Sequence, residues 1–176
     1  MFAPRGRELE RGWPGRIEGD VVVQLAAQTL QSFFTGGGHA REHAEYPLAD
    51  VVLLAPVLHP PAVRIFDGDA DFRFANPAAI VAADTEVDPP PGASRLEPVR
   101  RRAVIVGAEG AIGGFSELVE WTAPELAGEK ARDFALALGP VVTTPDEGRP
   151  EGADWEHLLA LAAANTRLLP GDVIAR

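Results

Sequence analysis

The sequence predicts an α+β domain that is rich in β-structure and contains few helices. The 16 prolines and 18 glycines among 176 residues require many turns, as expected of a chain with many short strands. Short apolar runs bounded by turn residues recur along the chain, whereas the clearest helical repeat is confined to residues 155–164. No internal repeat and no regular alternation of strands with helices is visible. These observations favour a β-rich domain over a helical bundle or a parallel α/β fold.

The N-terminal quarter of the chain is predicted to form a small appendage to this domain. Residues 1–19 are polar, with interspersed glycine, proline and arginine, and predict a loose start. Residues 21–23 have strand character, and the apolar spacing of Ala26, Leu30, Phe33 and Phe34 predicts a helix that ends at three glycines. The predicted domains are residues 1–48, an appendage with a strand, a helix and a Gly-rich linker, and residues 49–176, the core; residues 39–46 are predicted to form a polar connector.

Residues 49–176 are predicted to form short strands and one further helix. In that helix, Trp155, Leu158, Leu159 and Ala162 share one face, and Asp154 is placed to cap the first turn. Glycines at 113 and 114 predict a bend or bulge inside the longest apolar segment. The predicted strands are residues 51–55, 63–66, 103–106 and 112–121, with a last short strand after the turn at 169–172.

Composition excludes several classes of function. The formal net charge of −10 disfavours binding of nucleic acid or of an anionic membrane as the main activity. The absence of cysteine rules out disulfides, thiolate nucleophiles and cysteine-ligated metals. Residues 1–16 lack the apolar core of a secretory signal, and no apolar run is long enough to span a bilayer. We therefore expect a cytoplasmic location.

Three consecutive arginines, Arg100–Arg102, directly precede the apolar strand that ends at Gly107. Burying guanidinium groups in a protein core costs free energy unless carboxylates pair with them. The sequence therefore predicts that these arginines meet acidic partners or line a solvated cleft or an interface.

Two other groups of polar residues could bind a metal. His39 and His43, with Glu42 and Glu45 nearby, would share a face on a helix, although a solvated connector is the favoured interpretation. The alternating carboxylates of Asp67, Asp69 and Asp71 resemble the start of a calcium loop, but the glycine and the terminal glutamate of an EF-hand are missing.

Five segments in the same order resemble the fumarylacetoacetate hydrolase family. The segment at 74–81 is similar to "F-x-N-P-A-A-I-x-G", and residues 133–147 are similar to "K-D-F-A-x-x-L-G-P…T-P-D-E". The five segments are residues 51–61, 74–81, 89–97, 133–147 and 169–174, and together they span most of the chain from Val51 onward.

The resemblance implies a mixed β-roll, a dimeric assembly and a bound divalent cation. Members of the family cleave carbon–carbon bonds in β-diketo acids, decarboxylate keto acids, or isomerise and hydrate related compounds. The cation, Mg²⁺, Mn²⁺ or Ca²⁺, chelates neighbouring carbonyl and carboxylate oxygens and stabilises an enolate.

The chain departs from the family pattern at the metal-binding strand, which in the family reads "E-x-E-L-A-V-V-I-G". Aligned on Ala103 to Gly107, the two glutamate positions fall on Val99 and Arg101, and the third carboxylate falls on Glu120. The family's catalytic lysine aligns with Arg132, or with Lys130 if the alignment slips by two residues. The family's "H-x-x-E" segment has no counterpart, and the chain ends before the family's terminal "T-G-T-P-x-G" loop.

The sequence therefore predicts a degenerate member of the fold that binds no metal at Val99, Arg101 and Glu120. We expect the Arg101 guanidinium to take the place of the cation and to pair with Glu120. The implied role is that of a binding, regulatory or oligomer-partner subunit, as a homodimer or with a family paralogue, and a small anionic keto acid is a candidate ligand of Arg101 and Arg132. The alternative is a divergent hydrolase or decarboxylase that uses Mg²⁺ or Mn²⁺, with Glu120 joined by Asp67, Asp69 or Asp71.

Overall fold

A computed structural model describes residues 1–7, 9 and 11–176. The described residues form twelve strands, two α-helices and four short 3-10 helices. In chain order the strands and α-helices are β1 (Phe2–Pro4), β2 (Gly15–Glu18), β3 (Val21–Leu25), α1 (Leu30–Thr35), β4 (Glu42–Pro47), β5 (Val51–Leu53), β6 (Val63–Phe66), β7 (Phe72–Ala75), β8 (Ile80–Ala82), β9 (Glu97–Val106), β10 (Ile112–Thr122), β11 (Leu136–Leu138), α2 (Trp155–Ala163) and β12 (Val173–Ala175).

The strands are arranged in one large sheet and two small ones. The large sheet has seven strands in the order β7-β6-β12-β9-β10-β11-β8, and its pairs β12–β6 and β11–β8 are parallel. Strands β2, β3 and β4 form an antiparallel three-stranded sheet, and β1 pairs with β5. The predicted β-rich α+β class, with a mixed sheet and few helices, is confirmed.

The large sheet must curl, because its two edge strands are nearly consecutive in the chain. A flat seven-stranded sheet would place its edges roughly 29 Å apart. Only residues 76–79 separate β7 from β8, and the five peptide units from Ala75 to Ile80 span at most about 18 Å. The side chain of Asn76 holds this connection: its Oδ1 accepts from the Ala78 N–H, and its Nδ2 donates to the carbonyl of Asp133. The sheet therefore closes towards a roll, as predicted.

The two faces of the large sheet bury different apolar clusters. On one face, alternate residues of β9 and β10 pack with β6, β11 and β12 to form the main core, which includes Ile65, Ile105 and Leu118. On the other face, Val104 and Phe115 pack against α2, where Trp155 is fully buried. The strand period of two explains why successive residues of β9 serve opposite clusters.

Helix α2 begins and packs as the sequence predicts. Its apolar face is buried, and the carboxylate of Asp154 accepts a hydrogen bond from the His157 N–H at 3.0 Å. We expect Asp154→Ala to lower the free energy of unfolding by about 1 kcal/mol, because an N–H at the helix start loses its acceptor. Asp154→Asn keeps an acceptor at this position and is the matched control. Urea unfolding of both variants measures the difference, and equal losses would contradict the capping role.

The N-terminal segment is more ordered than its composition predicts. Residues 1–19 contain β1 and β2, although residues 8 and 10 lie outside the described residues. Phe2 is buried against Trp13 and Tyr46 and pairs with Leu53, so it anchors the start of the chain. The prediction of a loose start is wrong because a few aromatic side chains supply enough buried apolar surface to order a polar segment.

Two further boundaries differ from the sequence prediction. The predicted connector at 39–46 contains most of β4, which pairs with β3, and its side chains are largely exposed. Such a strand has no apolar alternation to reveal it. Helix α1 begins at Leu30 rather than near Ala26, because Thr29 caps it and the Ala26 N–H donates to the Arg41 carbonyl.

The described part of the chain contains no helix that combines the length and the apolar character needed to cross a bilayer.

Candidate functional site

The antiparallel register of β9 and β10 brings the three predicted site positions to one face of the sheet. Val99 lies directly opposite Glu120, and Arg101 lies opposite Leu118. Directly paired residues point to the same face, and so do residues two apart on a strand. Arg101 is thus the diagonal neighbour of Glu120, at a distance that a long side chain can bridge.

Glu120 is buried, with 1% of its side chain exposed, and it is bonded to two arginines. Arg101 donates to Oε2 from Nε at 3.2 Å and from Nη2 at 3.1 Å. Arg73 donates from Nη2 to Oε1. Each carboxylate oxygen therefore accepts from a different guanidinium group, so the buried charge is compensated from both sides. The pairing of Arg101 with Glu120 that the sequence predicts is present.

Asp67 links the same two arginines at the outer edge of the site. Its Oδ1 accepts from Arg101 Nη2 at 2.7 Å, and its Oδ2 lies 3.5 Å from Arg73 Nε. Arg101 also donates from Nη1 to the carbonyl of Phe66 at 3.3 Å. We refer to Arg73, Arg101, Glu120 and Asp67 as the four-charge cluster. Its two positive and two negative charges cancel.

Arg73 is the member of the cluster that the sequence interpretation missed. It lies on the edge strand β7 opposite Ile65, whose side chain belongs to the main core. The alternation of Phe72, Arg73 and Phe74 was the available signal, since it places the arginine on the face opposite to the two phenylalanines. The pairing of β7 with β6 decides which apolar cluster lies on that face. The sequence pattern alone does not specify this pairing.

The pKa of Asp67 is controlled by the arginines. Partial burial raises it, but the hydrogen bond and charge of Arg101 and the charge of Arg73 lower it more strongly. The pKa of this carboxyl is therefore held below its ordinary value. A lowered pKa in the folded state means that the ion pairs stabilise the fold above the unfolded-state pKa, about 4, and that this stabilisation is lost as the pH falls through the folded-state value.

We therefore expect Asp67→Asn to lower the free energy of unfolding at pH 7 and to have little effect at pH 2. The expected loss at pH 7 is about 0.5 kcal/mol, because Asp67 is largely exposed and its ion pairs are screened. Urea unfolding at both pH values measures it. Asp88→Asn is the control, since Asp88 is exposed and has no ion-pair partner among the described residues. A loss that is the same at both pH values would contradict the assignment.

The remaining predicted positions are Val99, which borders the cluster, and Lys130 and Arg132, which do not bond to it. Val99 is 37% exposed beside Glu120. Lys130 belongs to a 3-10 helix, is 81% exposed and pairs with Asp133 at 2.5 Å. Arg132 follows that helix directly. Among the described residues, neither Lys130 nor Arg132 makes a hydrogen bond or an ion pair with the four-charge cluster.

The three aspartates of the calcium-like segment do not converge. Asp67 belongs to the four-charge cluster, Asp69 pairs with Arg176 at 2.8 Å, and Asp71 accepts from the Phe72 N–H. His43 lies on β4, so the helical arrangement with His39 is not formed. In the described ranges, no group of three or more His, Asp or Glu side chains is arranged to hold a metal ion.

A divalent cation does not fit the residues of the four-charge cluster. Mg²⁺, Mn²⁺ and Ca²⁺ bind clusters of oxygen ligands that carry negative charge. Here a valine and an arginine accompany Glu120, and both oxygens of Glu120 already accept hydrogen bonds from guanidinium groups. A cation would therefore meet two fixed positive charges where it needs carboxylates.

No protein-family model and no curated protein sequence matches this chain. Solved structures do match it. Maleylpyruvate hydrolase from Sphingobium sp. SYK-6 superposes with a TM-score of 0.79 at 21% identity, over 99% of this chain and 87% of that chain. The same hydrolase in complex with manganese(II) and pyruvate gives a TM-score of 0.73 at 20% identity, again over 99% of this chain and 87% of that chain.

Two further structures with other activities share the fold. 5-Carboxymethyl-2-hydroxymuconate delta-isomerase from Mycobacterium smegmatis matches with a TM-score of 0.71 at 19% identity, over 93% of this chain and 81% of that chain. 2-Keto-3-deoxy-D-arabinonate dehydratase, complexed with magnesium and 2,5-dioxopentanoate, matches with a TM-score of 0.74 at 14% identity, over 99% of this chain and 85% of that chain. The chain has the fold of the fumarylacetoacetate hydrolase type, as the sequence resemblance implied.

Proposed function

We propose that this protein is a metal-independent binding member of the fold, in which the four-charge cluster replaces a divalent-cation site. The observation that carries the proposal is the bonding of the buried Glu120 carboxylate to Arg73 and Arg101. A guanidinium group supplies positive charge and directed hydrogen bonds to a carboxylate. It offers no vacant coordination position at which a substrate oxygen could bind, so it cannot act as a Lewis acid.

A cation at the four-charge cluster would have to displace a buried ion pair. Removing one partner from a buried ion pair costs about 3–5 kcal/mol. A cation at Glu120 would break its bonds to Arg101 and leave two guanidinium groups beside a doubly charged ion. Only Glu120 and the largely exposed Asp67 would face it as carboxylates. The cluster therefore favours its own internal ion pairs over a metal.

A binding, regulatory or oligomer-partner role is supported by a retained fold whose cluster pairs arginines with Glu120. The alignment with maleylpyruvate hydrolase covers 99% of this chain and 87% of that chain, which supports the retention of the fold. In this proposal the protein assembles as a homodimer or with an active relative. A keto acid would be a weak ligand of the cluster, because Glu120 and Asp67 already neutralise both arginines.

The second candidate is a metal-dependent hydrolase or decarboxylase. It is favoured by two structures of this fold that hold manganese with pyruvate and magnesium with a dioxo acid. In this chain such an enzyme would need Arg101 to swing away so that Glu120 and Asp67 could ligate the ion together. The two candidates differ in their response to metal.

Thermal unfolding in the presence of EDTA, Mg²⁺ or Mn²⁺ separates them. An ion that binds the folded state at 100 times its Kd stabilises that state by about 2.7 kcal/mol. We expect no change in Tm up to millimolar metal, no decarboxylation of oxaloacetate and no hydrolysis of acylpyruvates with either metal. An increase in Tm that EDTA reverses and Glu120→Gln abolishes, or metal-dependent turnover, would establish the enzymatic candidate instead.

A further inference from the structure

We propose that a cavity between the three-stranded sheet and the large sheet binds a small organic cation with an apolar body. The cavity has a volume of about 670 Å³ and lies between the β2–β3 hairpin, α1 and the segment at 140–147. This volume lies within the range typical of small-molecule sites, which often occur where two structural units meet. The proposal does not depend on the proposed function of the four-charge cluster.

The cavity is separate from the four-charge cluster. Gly113 lines the cavity, and Glu120 lies seven residues further along β10. At about 3.3 Å per residue, this places the two roughly 23 Å apart along the strand. None of Arg73, Arg101, Glu120 and Asp67 lines the cavity. A ligand here would therefore leave the ion pairs of the cluster untouched.

Part of the cavity wall is apolar, and the rest is polar. Leu30, Phe33 and Phe34 of α1 form one side, and Pro140 and Val142 form the other. Gly113 lies under the ring of Phe34, where an added Cβ would come within 2.8 Å of that ring. The absence of a side chain at this position thus lets the helix lie close to β10. The aromatic rings and aliphatic groups together suit the hydrocarbon part of a ligand.

Exposed apolar side chains gather at the mouth of this cavity. Four large hydrophobic residues of the described chain are notably exposed, and two of them, Ile17 and Val141, line the cavity. They are 37% and 46% exposed, respectively. Apolar surface left in water around a concave site indicates where a ligand would cover it.

The charged groups at the rim leave an excess of negative charge. Asp146 and Glu147 line the cavity and are exposed. Arg16 is the one arginine among the described residues that line the cavity. Its guanidinium group is bonded to Glu18 and Glu42, so its positive charge is already offset. Met1 also lines the cavity, and burial lowers the pKa of its amino group to about 6, so that this group is mostly uncharged at pH 7. The remaining titratable group is the exposed side chain of His39.

A cavity that combines an apolar wall with carboxylates at its rim favours an amine over an acid. A protonated amine at the rim would be attracted by Asp146 and Glu147. An anion of the same shape would be repelled by the same two carboxylates. We expect about a tenfold preference for the cation over the anion, which corresponds to about 1.4 kcal/mol.

Three probes with the same aromatic body test the proposal: phenethylamine, 2-phenylethanol and 3-phenylpropionate. Binding to the full chain is measured by isothermal titration and by NMR shift perturbation. We expect the amine to bind most tightly and the acid most weakly. The double variant Asp146→Asn/Glu147→Gln should remove the preference for the amine and leave binding of the alcohol unchanged. Asp88→Asn, a charge change away from the cavity, should alter none of the three affinities.

Filling the cavity supplies the second test. Val142→Trp and Leu30→Trp each enlarge a side chain that lines the cavity. A variant that retains the wild-type circular dichroism spectrum is used for the binding measurement. We expect loss of binding of all three probes. Binding of the acid as tightly as the amine, binding that survives these tryptophans, or no binding of the amine at 10 mM, a concentration on the order of ten times a weak fragment's Kd, would overturn the proposal.

Discussion

The variant Arg101→Met is expected to lose about 3 kcal/mol of unfolding free energy, which is a large fraction of the stability of an ordinary domain. Arg101 gives Glu120 two of its hydrogen bonds, and Glu120 is otherwise enclosed by protein. Methionine keeps much of the aliphatic volume and removes the charge. Oε2 of Glu120 would then be left without its donors in a buried position, which is costly for a carboxylate.

Urea unfolding at pH 7 measures this loss, and Arg100→Met is the matched control. Arg100 is the preceding residue of the same strand, is exposed and points to the opposite face. We expect its replacement to change stability by less than about 0.5 kcal/mol. Equal losses for the two variants would show that Glu120 does not depend on Arg101. Adding Glu120→Leu to Arg101→Met should recover part of the loss, because the buried charge is then removed with its partner.

The variant Val99→Glu/Arg101→Glu is expected to acquire a metal site on β9 and β10. The register of β9 and β10 places residues 99, 101 and 120 on one face, with residue 99 directly opposite Glu120. Opposed Cβ atoms in such a pair are about 5 Å apart, so three carboxylates could converge on one ion. With Asp67 beside them, only Arg73 would remain as a positive charge in the site.

Without metal, this double variant should be less stable than the natural protein because like charges repel one another. With Mn²⁺ at 100 times its Kd it should gain about 2.7 kcal/mol of stability, seen as an increase in Tm that EDTA reverses. Adding Glu120→Gln to the double variant should abolish most of this gain. A double variant that is indifferent to Mn²⁺, yet still folded by circular dichroism, would mean that the three positions do not share a face as the strand register indicates.

The β-rich class was accessible from local pattern, whereas the roll and the ion pair of Arg101 with Glu120 were expected from the ordered resemblance to the fumarylacetoacetate hydrolase family. A short continuous apolar run at 103–106 indicates the second half of β9, and the predicted bend at residues 113–114 appears as a register shift between Ile112 and Gly114. Once the two strands pair, the faces of Arg101 and Glu120 follow from alternation alone. The cap at Asp154 is likewise a local signal.

The missed features depend on contacts between distant segments. Arg73 reaches Glu120 only because β7 pairs with β6 at the edge of the curled sheet, a pairing between residues that carry no distinctive motif. The order of residues 1–19 depends on Phe2 meeting Tyr46 and Leu53. Strand β4 is polar and exposed, so only its hydrogen bonds to β3 reveal it.

Titration with Mn²⁺, followed by electron paramagnetic resonance, tests most directly whether the four-charge cluster has replaced a cation. The signal of the free ion falls when Mn²⁺ binds protein, so the bound fraction is counted directly. For the natural chain at moderate salt, we predict that the free signal equals the Mn²⁺ added, apart from weak binding that Glu120→Gln leaves unchanged. One tightly bound Mn²⁺ per chain that disappears in Glu120→Gln would contradict the account.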